Sequence, residues 1–254
     1  MSVSRTEALA ARVRAELEAC ADPKYREGAA RFFREAVEVC GVRGTDVHAI
    51  ARNAYREVKN WPVAERNRFA SALWRRGKLE ERSVAIVVYR RFARQCGAAE
   101  FALFERWLDR YVTNWANCDG LASWLLAAAI GNEPELIARL RPWARSRNRW
   151  KRRAAIVALL QEAKRGRNTE AIFEIADALL EDSDDMVQKG VGWVLKETYP
   201  KKRVEVMQFL MPRAARTPRL VLRIAAEKMT AKDRSALLGR SSKRQARARQ
   251  APRV

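Results

Sequence analysis

Apolar residues recur along most of this chain at every third or fourth position rather than at every second, the spacing that gives a helix one buried stripe. The segment from Asp184 to Glu197 shows it well: Val187, Val191, Val194 and Leu195 fall on one side, behind two acids placed to open a helix. Glycine and proline, 11 and 8 residues in all, fall mostly between such segments. Ser4-Arg5-Thr6-Glu7 has the form of a capping box, Thr45 is placed to start a helix, and Pro62 suits a first turn. Gly41 is expected to end a helix that includes Phe32 and Phe33. Further breaks are expected at Gly77, Gly97, Gly131, Gly166, Pro200 and Thr217-Pro218. The pattern predicts about thirteen short helices with brief connections, and Val84 to Tyr89 is the one run that also suits a strand.

Many short helices without a sustained heptad repeat predict an all-α fold in which helical pairs stack, each burying its apolar face against the next as a curved solenoid. The expected boundaries are a repeat domain over 1–235 and a basic tail over 236–254, where Arg and Lys continue with almost no large apolar residue.

Composition adds a partner. Lys and Arg number 51 against 30 for Asp and Glu, a net charge of +21 that draws a polyanion, and nucleic acid fits it best. The longest apolar run, near Leu121 to Ile130, falls well short of a membrane span, and the N-terminal twenty residues mix Arg with Glu where an export signal is apolar. No membrane association and a cytoplasmic address are therefore expected. Cys20, Cys40, Cys96 and Cys118 are scattered and His48 is the sole histidine, so neither a metal site nor a disulfide framework is expected.

Three segments carry residues suited to chemistry. Trp115 precedes Asp119 by one helical turn near a helix start, where the acid serves either the helix dipole or a reaction. In Arg145 to Ile156, Arg149 and Arg153 share a side with Val157 and Leu160, as expected at the margin of a groove that holds a phosphate; Arg152 turns partly away. On the third segment, Trp193 lies off the apolar stripe, on the side of Lys189 and Lys196, which suits either an exposed functional ring or burial against another repeat.

Together these segments resemble the AlkD family of alkylpurine DNA glycosylases, from about Phe32 to the helix after Pro218. Trp115 with Asp119, Trp150 with Arg153-Ala154-Ala155-Ile156, and Gly192-Trp193-Val194-Leu195 match the three motifs that line that family's active cleft. Leu73-Trp74 before Glu80-Glu81-Arg82, and Gly41-Val42-Arg43, match in support. The chain departs at Ala116, where the family often has an acid, and at Phe32, where a tyrosine is common.

The resemblance implies a HEAT-like fold and excision of positively charged N3- or N7-alkylated purines from duplex DNA by a monomer without cofactor or metal. It implies Asp119, Trp115 and Trp193 as catalytic residues, and Arg153, Arg149, Lys189, Lys196, Arg43 and Phe32 as DNA contacts. Such a base leaves readily, so the residues required are those that stabilise the cation developing on the sugar: a carboxylate and electron-rich rings. Extrusion of the base and its retention in the stack both remain open. The alternative is a non-catalytic helical protein that binds nucleic acid by charge. A protein-binding scaffold would need no basic surface.

Overall fold

The computed structural model describes residues 4–239, and among them there is no strand. Two compact units divide the chain, Met1–Pro134 and Glu135–Val254.

The first unit opens with α1 (Arg5–Ala19), whose N-terminus is capped by Ser4 Oγ accepting from the Glu7 amide at 3.3 Å. Leu9, Ala10, Val13 and Leu17 form its buried stripe, which packs on α3 (Gly44–Val58) and α4 (Val63–Arg76). Between them lies α2 (Pro23–Arg31).

The expected helix through Phe32 and Phe33 to Gly41 is corrected here: the helix stops at Arg31, and residues 32–43 run without helical structure. The C-terminal end of this non-helical stretch is held by a residue far along the sequence. Glu80, 5% exposed at the start of α5 (Leu79–Arg90), accepts from the amides of Cys40, Gly41 and Val42 at 2.8, 2.9 and 3.2 Å. Amides taken by a carboxylate cannot join an i to i−4 ladder, and three charge-assisted bonds offset the burial of the acid. Gly41 sits at φ +84°, where a Cβ would lie 2.5 Å from Arg26 Cβ and 2.8 Å from the Asp22 carbonyl, so only glycine turns the chain here.

The run Val84 to Tyr89 is helical, inside α5. Its near-continuous apolar character follows from burial on several sides, since α5 packs on α1, α3, α4 and α7. Next come α6 (Ala98–Tyr111) and a longer helical rod made of α7 (Trp115–Gly120), a π-helical segment Leu121–Leu126 and α8 (Ala127–Asn132). Gly131 therefore lies within a helix rather than at a break. Trp74 and Trp107 stack at 5.4 Å, with Tyr89 set edge-on to Trp107 at 5.6 Å. Cys40 and Cys96 are buried as free thiols, and burial pushes each up to about 12, far from the reactive thiolate.

In the second unit, 3₁₀ turns lead to α9 (Arg149–Val157), α10 (Leu160–Arg165), α11 (Thr169–Leu179), α12 (Asp185–Thr198), α13 (Arg203–Arg213) and α14 (Arg219–Ala225). The central helix is α12, which packs on α9, α10, α11 and α14. Its expected stripe, Val187, Val191, Val194 and Leu195, is fully buried. A Cβ on Gly192 would stand 2.8 Å from Ile224 Cβ and 3.0 Å from the Val221 carbonyl, so this glycine lets α12 and α14 approach closely.

A last helix spans 231–239, with Leu237 buried. It is fastened by Asp233, which accepts from Arg203 Nε at 2.7 Å and from the Tyr199 hydroxyl at 2.6 Å. These donors, Arg203 first, hold its carboxyl at about 2. Helix thus continues past the expected boundary at 236, and the remainder of the expected basic tail, 240–254, lies outside the described residues.

The Glu80 cradle yields a stability prediction. Glu80→Ala strands three buried amides and is expected to cost about 3 kcal/mol, with Glu80→Gln intermediate because one acceptor oxygen survives. Urea unfolding measures both, and a loss for Glu80→Ala below about 1 kcal/mol would show that water replaces the carboxylate without penalty.

Candidate functional site

In the first unit the site is built on the opening turns of α7. Asn114 caps this helix: its Oδ1 accepts from the Asn117 amide at 2.9 Å, and the two asparagine side chains bond to each other at 3.0 Å, both buried. The capping requirement is therefore met by Asn114, and Asp119, the fifth residue of the helix, is not explained as an end-of-helix acid. Trp115 and Asp119 stand one turn apart on the same side, both partly exposed. Directly after them the rod passes into its π segment, where Ser123 Oγ donates to the Asp119 carbonyl at 2.7 Å. An extra residue per turn at this point re-aims the groups on either side of it.

The non-helical segment supplies the walls. Phe32 and Phe33 both pack on the Trp115 ring, at centroid distances of 5.7 and 5.6 Å with planes at 65° and 32°. Phe32 is 71% exposed, more than any other large apolar side chain among the described residues. Sequence reasoning singled out Phe32 but missed Phe33. Its signal was the adjacent aromatic pair, and its placement depends on the chain leaving the helix at Arg31. Arg43 is held elsewhere in this unit, over the Tyr25 ring at 5.4 Å and 3.9 Å from Asp22.

In the second unit the matched residues gather where α9 meets the start of α12. Asn148 caps α9 and Asp184 caps α12, its Oδ1 accepting from the Met186 amide at 2.8 Å. Arg153 is corrected in one respect: expected at a solvent-facing margin, it is 5% exposed and its Nη1 donates to the Met186 carbonyl. Val157 shares the buried side of α9 with it, whereas α9 ends at Val157 and Leu160 begins α10. Gly190 makes room for it, with Arg153 Cγ 3.4 Å from where a Cβ would stand.

Arg149 pairs with Asp184 at 3.2 Å and lies over the Trp150 ring at 4.4 Å. Arg152 is locked by both oxygens of Asp182, at 2.6 and 3.1 Å. Further along α12, Lys189 pairs with Asp185 at 3.1 Å and Lys196 with Glu227 at 2.8 Å. Trp193 is half-buried, off the stripe as the wheel indicates. Partly exposed ion pairs of this kind are worth about 0–1 kcal/mol, little enough for an arriving phosphate to displace the carboxylate.

Comparison with known proteins identifies the family. A family model for the DNA alkylation repair enzyme family matches residues 13–229. Among solved structures, one described as a predicted DNA alkylation repair enzyme from Enterococcus faecalis superposes with a TM-score of 0.75 at 15% identity, covering 83% of this chain and 97% of that one. No curated protein sequence matches. The chain belongs to the DNA alkylation repair enzyme family, with an all-α repeat fold and a role in DNA alkylation repair. No described helix is long and apolar enough to cross a membrane, and no described cluster of acids, cysteines or histidine is grouped to hold a metal.

Two of the three arginines of α9, Arg149 and Arg153, are expected to separate in a stability assay. Arg153→Ala removes a buried charge and its bond to Met186 and should cost about 2–3 kcal/mol, whereas Arg149→Ala breaks a partly exposed pair and should cost less than about 1 kcal/mol. Thermal and urea unfolding of both variants checks this. Equal losses would contradict the difference in burial.

Proposed function

We propose that the protein is a DNA glycosylase that hydrolyses the N-glycosidic bond of cationic N3- or N7-alkylated purines, such as 3-methyladenine and 7-methylguanine, in duplex DNA, initiating base excision repair. The observation that carries this reading is Asp119: a partly exposed carboxylate one turn from an aromatic ring, at a position that helix capping does not account for. A net charge of +21 recruits the duplex, and membership of an alkylation repair family supplies the class of damage.

The chemistry follows from the residues. Alkylation leaves the purine positively charged, so when the bond from C1′ to the base nitrogen breaks, the electron pair goes to the base and neutralises it. Positive charge then develops on the sugar. The Asp119 carboxylate stabilises that charge and orients a water, whose oxygen bonds to C1′ as its proton passes to the carboxylate or to solvent. Trp115 offers a π face that attracts the sugar more strongly as it becomes cationic, and Trp193 is assigned the same role on α12. Phe32 is assigned to contact with the duplex. Arg149, Lys189, Lys196 and Arg43 exchange their carboxylate partners for phosphates. Arg153, buried against Met186, acts chiefly by fixing the start of α12, on which Asp184, Arg149 and Lys189 depend.

The test is single-turnover release of 7-methylguanine by the wild type and by Asp119→Asn at saturating enzyme. The substitution keeps size and removes charge, so excision should fall by about 10² to 10³ while affinity for undamaged duplex holds or improves slightly. Equal rates would remove Asp119 from the chemistry. Absence of release by the wild type would favour a non-catalytic DNA-binding protein.

A further inference from the structure

A second basic feature of the first unit takes no part in this reading. The start of α1, α4 and α6 border an open cleft of about 420 Å³, the size range of small-ligand sites. Four arginines line it, Arg68 and Arg75 from α4 and Arg106 and Arg110 from α6. The one carboxylate at the cleft, Glu7, is already engaged by Arg75 at 2.9 Å. Arg68, Arg106 and Arg110 make no hydrogen bond or ion pair among the described residues, in contrast to the paired cations of α9 and α12.

The neutral groups of the cleft are set as donors too. Ser71 Oγ accepts from Trp107 Nε1 at 3.1 Å, so its own hydroxyl hydrogen is left to donate. Asn67 Oδ1 accepts from the Tyr89 hydroxyl, which leaves its amide hydrogens for another acceptor. A cleft that combines three arginines outside any described hydrogen bond or close ion pair with a hydroxyl and an amide able to donate is complementary to an oxyanion, and the guanidinium forks match phosphoryl oxygens in particular. A merely solvated basic face would not also present oriented neutral donors.

We propose that this cleft is an anion site for phosphoryl groups, separate from the Trp115 and Asp119 residues on α7. Its ligand is a compact oligophosphate, supplied either free or as neighbouring phosphates of a nucleic acid strand.

The experiment is calorimetric titration with inorganic triphosphate at physiological salt. It compares the wild type, Arg106→Gln/Arg110→Gln, and Arg52→Gln/Arg94→Gln, whose exposed arginines lie outside the cleft and lower the net charge equally. Removing two forked, charge-assisted contacts should weaken binding by about tenfold or more, whereas the control pair should bind as the wild type does. Arg68→Gln, on the opposite wall, should weaken it in the same direction. Melting curves verify that each variant is folded.

A parallel salt titration with undamaged duplex separates the sources. If strand phosphates enter the cleft, the Arg106→Gln/Arg110→Gln variant loses about 1.8 from its logarithmic salt slope, at about 0.9 per contact; if only free anions enter, the slope is unchanged while triphosphate binding falls. Equal weakening by the cleft and control pairs, or no triphosphate binding together with an unchanged duplex slope, would overturn the proposal. Base excision is not the readout, so failure here leaves the glycosylase assignment untouched.

Discussion

A charge removed from water must be met at once by opposite charge or by hydrogen bonds, and in this protein that constraint fixes where helices begin and end. Glu80 meets it with three backbone amides, which hold Cys40 to Val42 out of a helix and bring this non-helical stretch past the start of α5. Arg153 meets it with the Met186 carbonyl and thereby ties α9 to the first turn of α12. Glu162 draws in both Arg167, at 2.6 Å, and Asn168, at 2.8 Å, turning the chain into α11. The first two of these contacts place functional candidates: Phe32 and Phe33 depend on the first, Arg149 and Lys189 on the second.

Cations on the second unit's candidate surface are held in weak, partly exposed pairs, a resting state that preserves solubility at high net charge and costs little to exchange. Lys189 with Asp185 and Lys196 with Glu227 are of this kind. The proposed reaction makes a lighter catalytic demand than most hydrolyses, because its leaving group is activated before it arrives. A single carboxylate and an electron-rich ring are the groups the proposed reaction calls on, and it requires no buried acid with a raised pKa.

The parts of the fold legible in the sequence are those governed by local rules. The Ser4 cap, the stripe of α12 and the position of Trp193 off that stripe all follow from periodicity and hydrogen-bonding inventory. Trp115 and Asp119 were legible as a pair from their four-residue spacing. What was not legible depends on partners distant in sequence. Nothing near Phe32 announces that Glu80 will take the amides of Cys40 to Val42. The wheel placed Arg153 beside Val157, as the structure has it, but whether a stripe that includes an arginine faces solvent or α12 is decided by packing, with Gly190 as its local trace. The π segment after Gly120 leaves no periodic signature, since Leu121 to Ile130 is apolar almost throughout.

The central claim is electrostatic: the site stabilises a sugar cation and relies on a base that is already charged. Its most direct measurement is single-turnover release of free base from two duplexes identical except at one position, 7-methylguanine in one and uncharged hypoxanthine in the other. The account predicts release of 7-methylguanine and none of hypoxanthine within the same interval. Release of hypoxanthine at a comparable rate would contradict it, because an uncharged purine leaves only when an enzyme supplies the acid that this one is argued not to need.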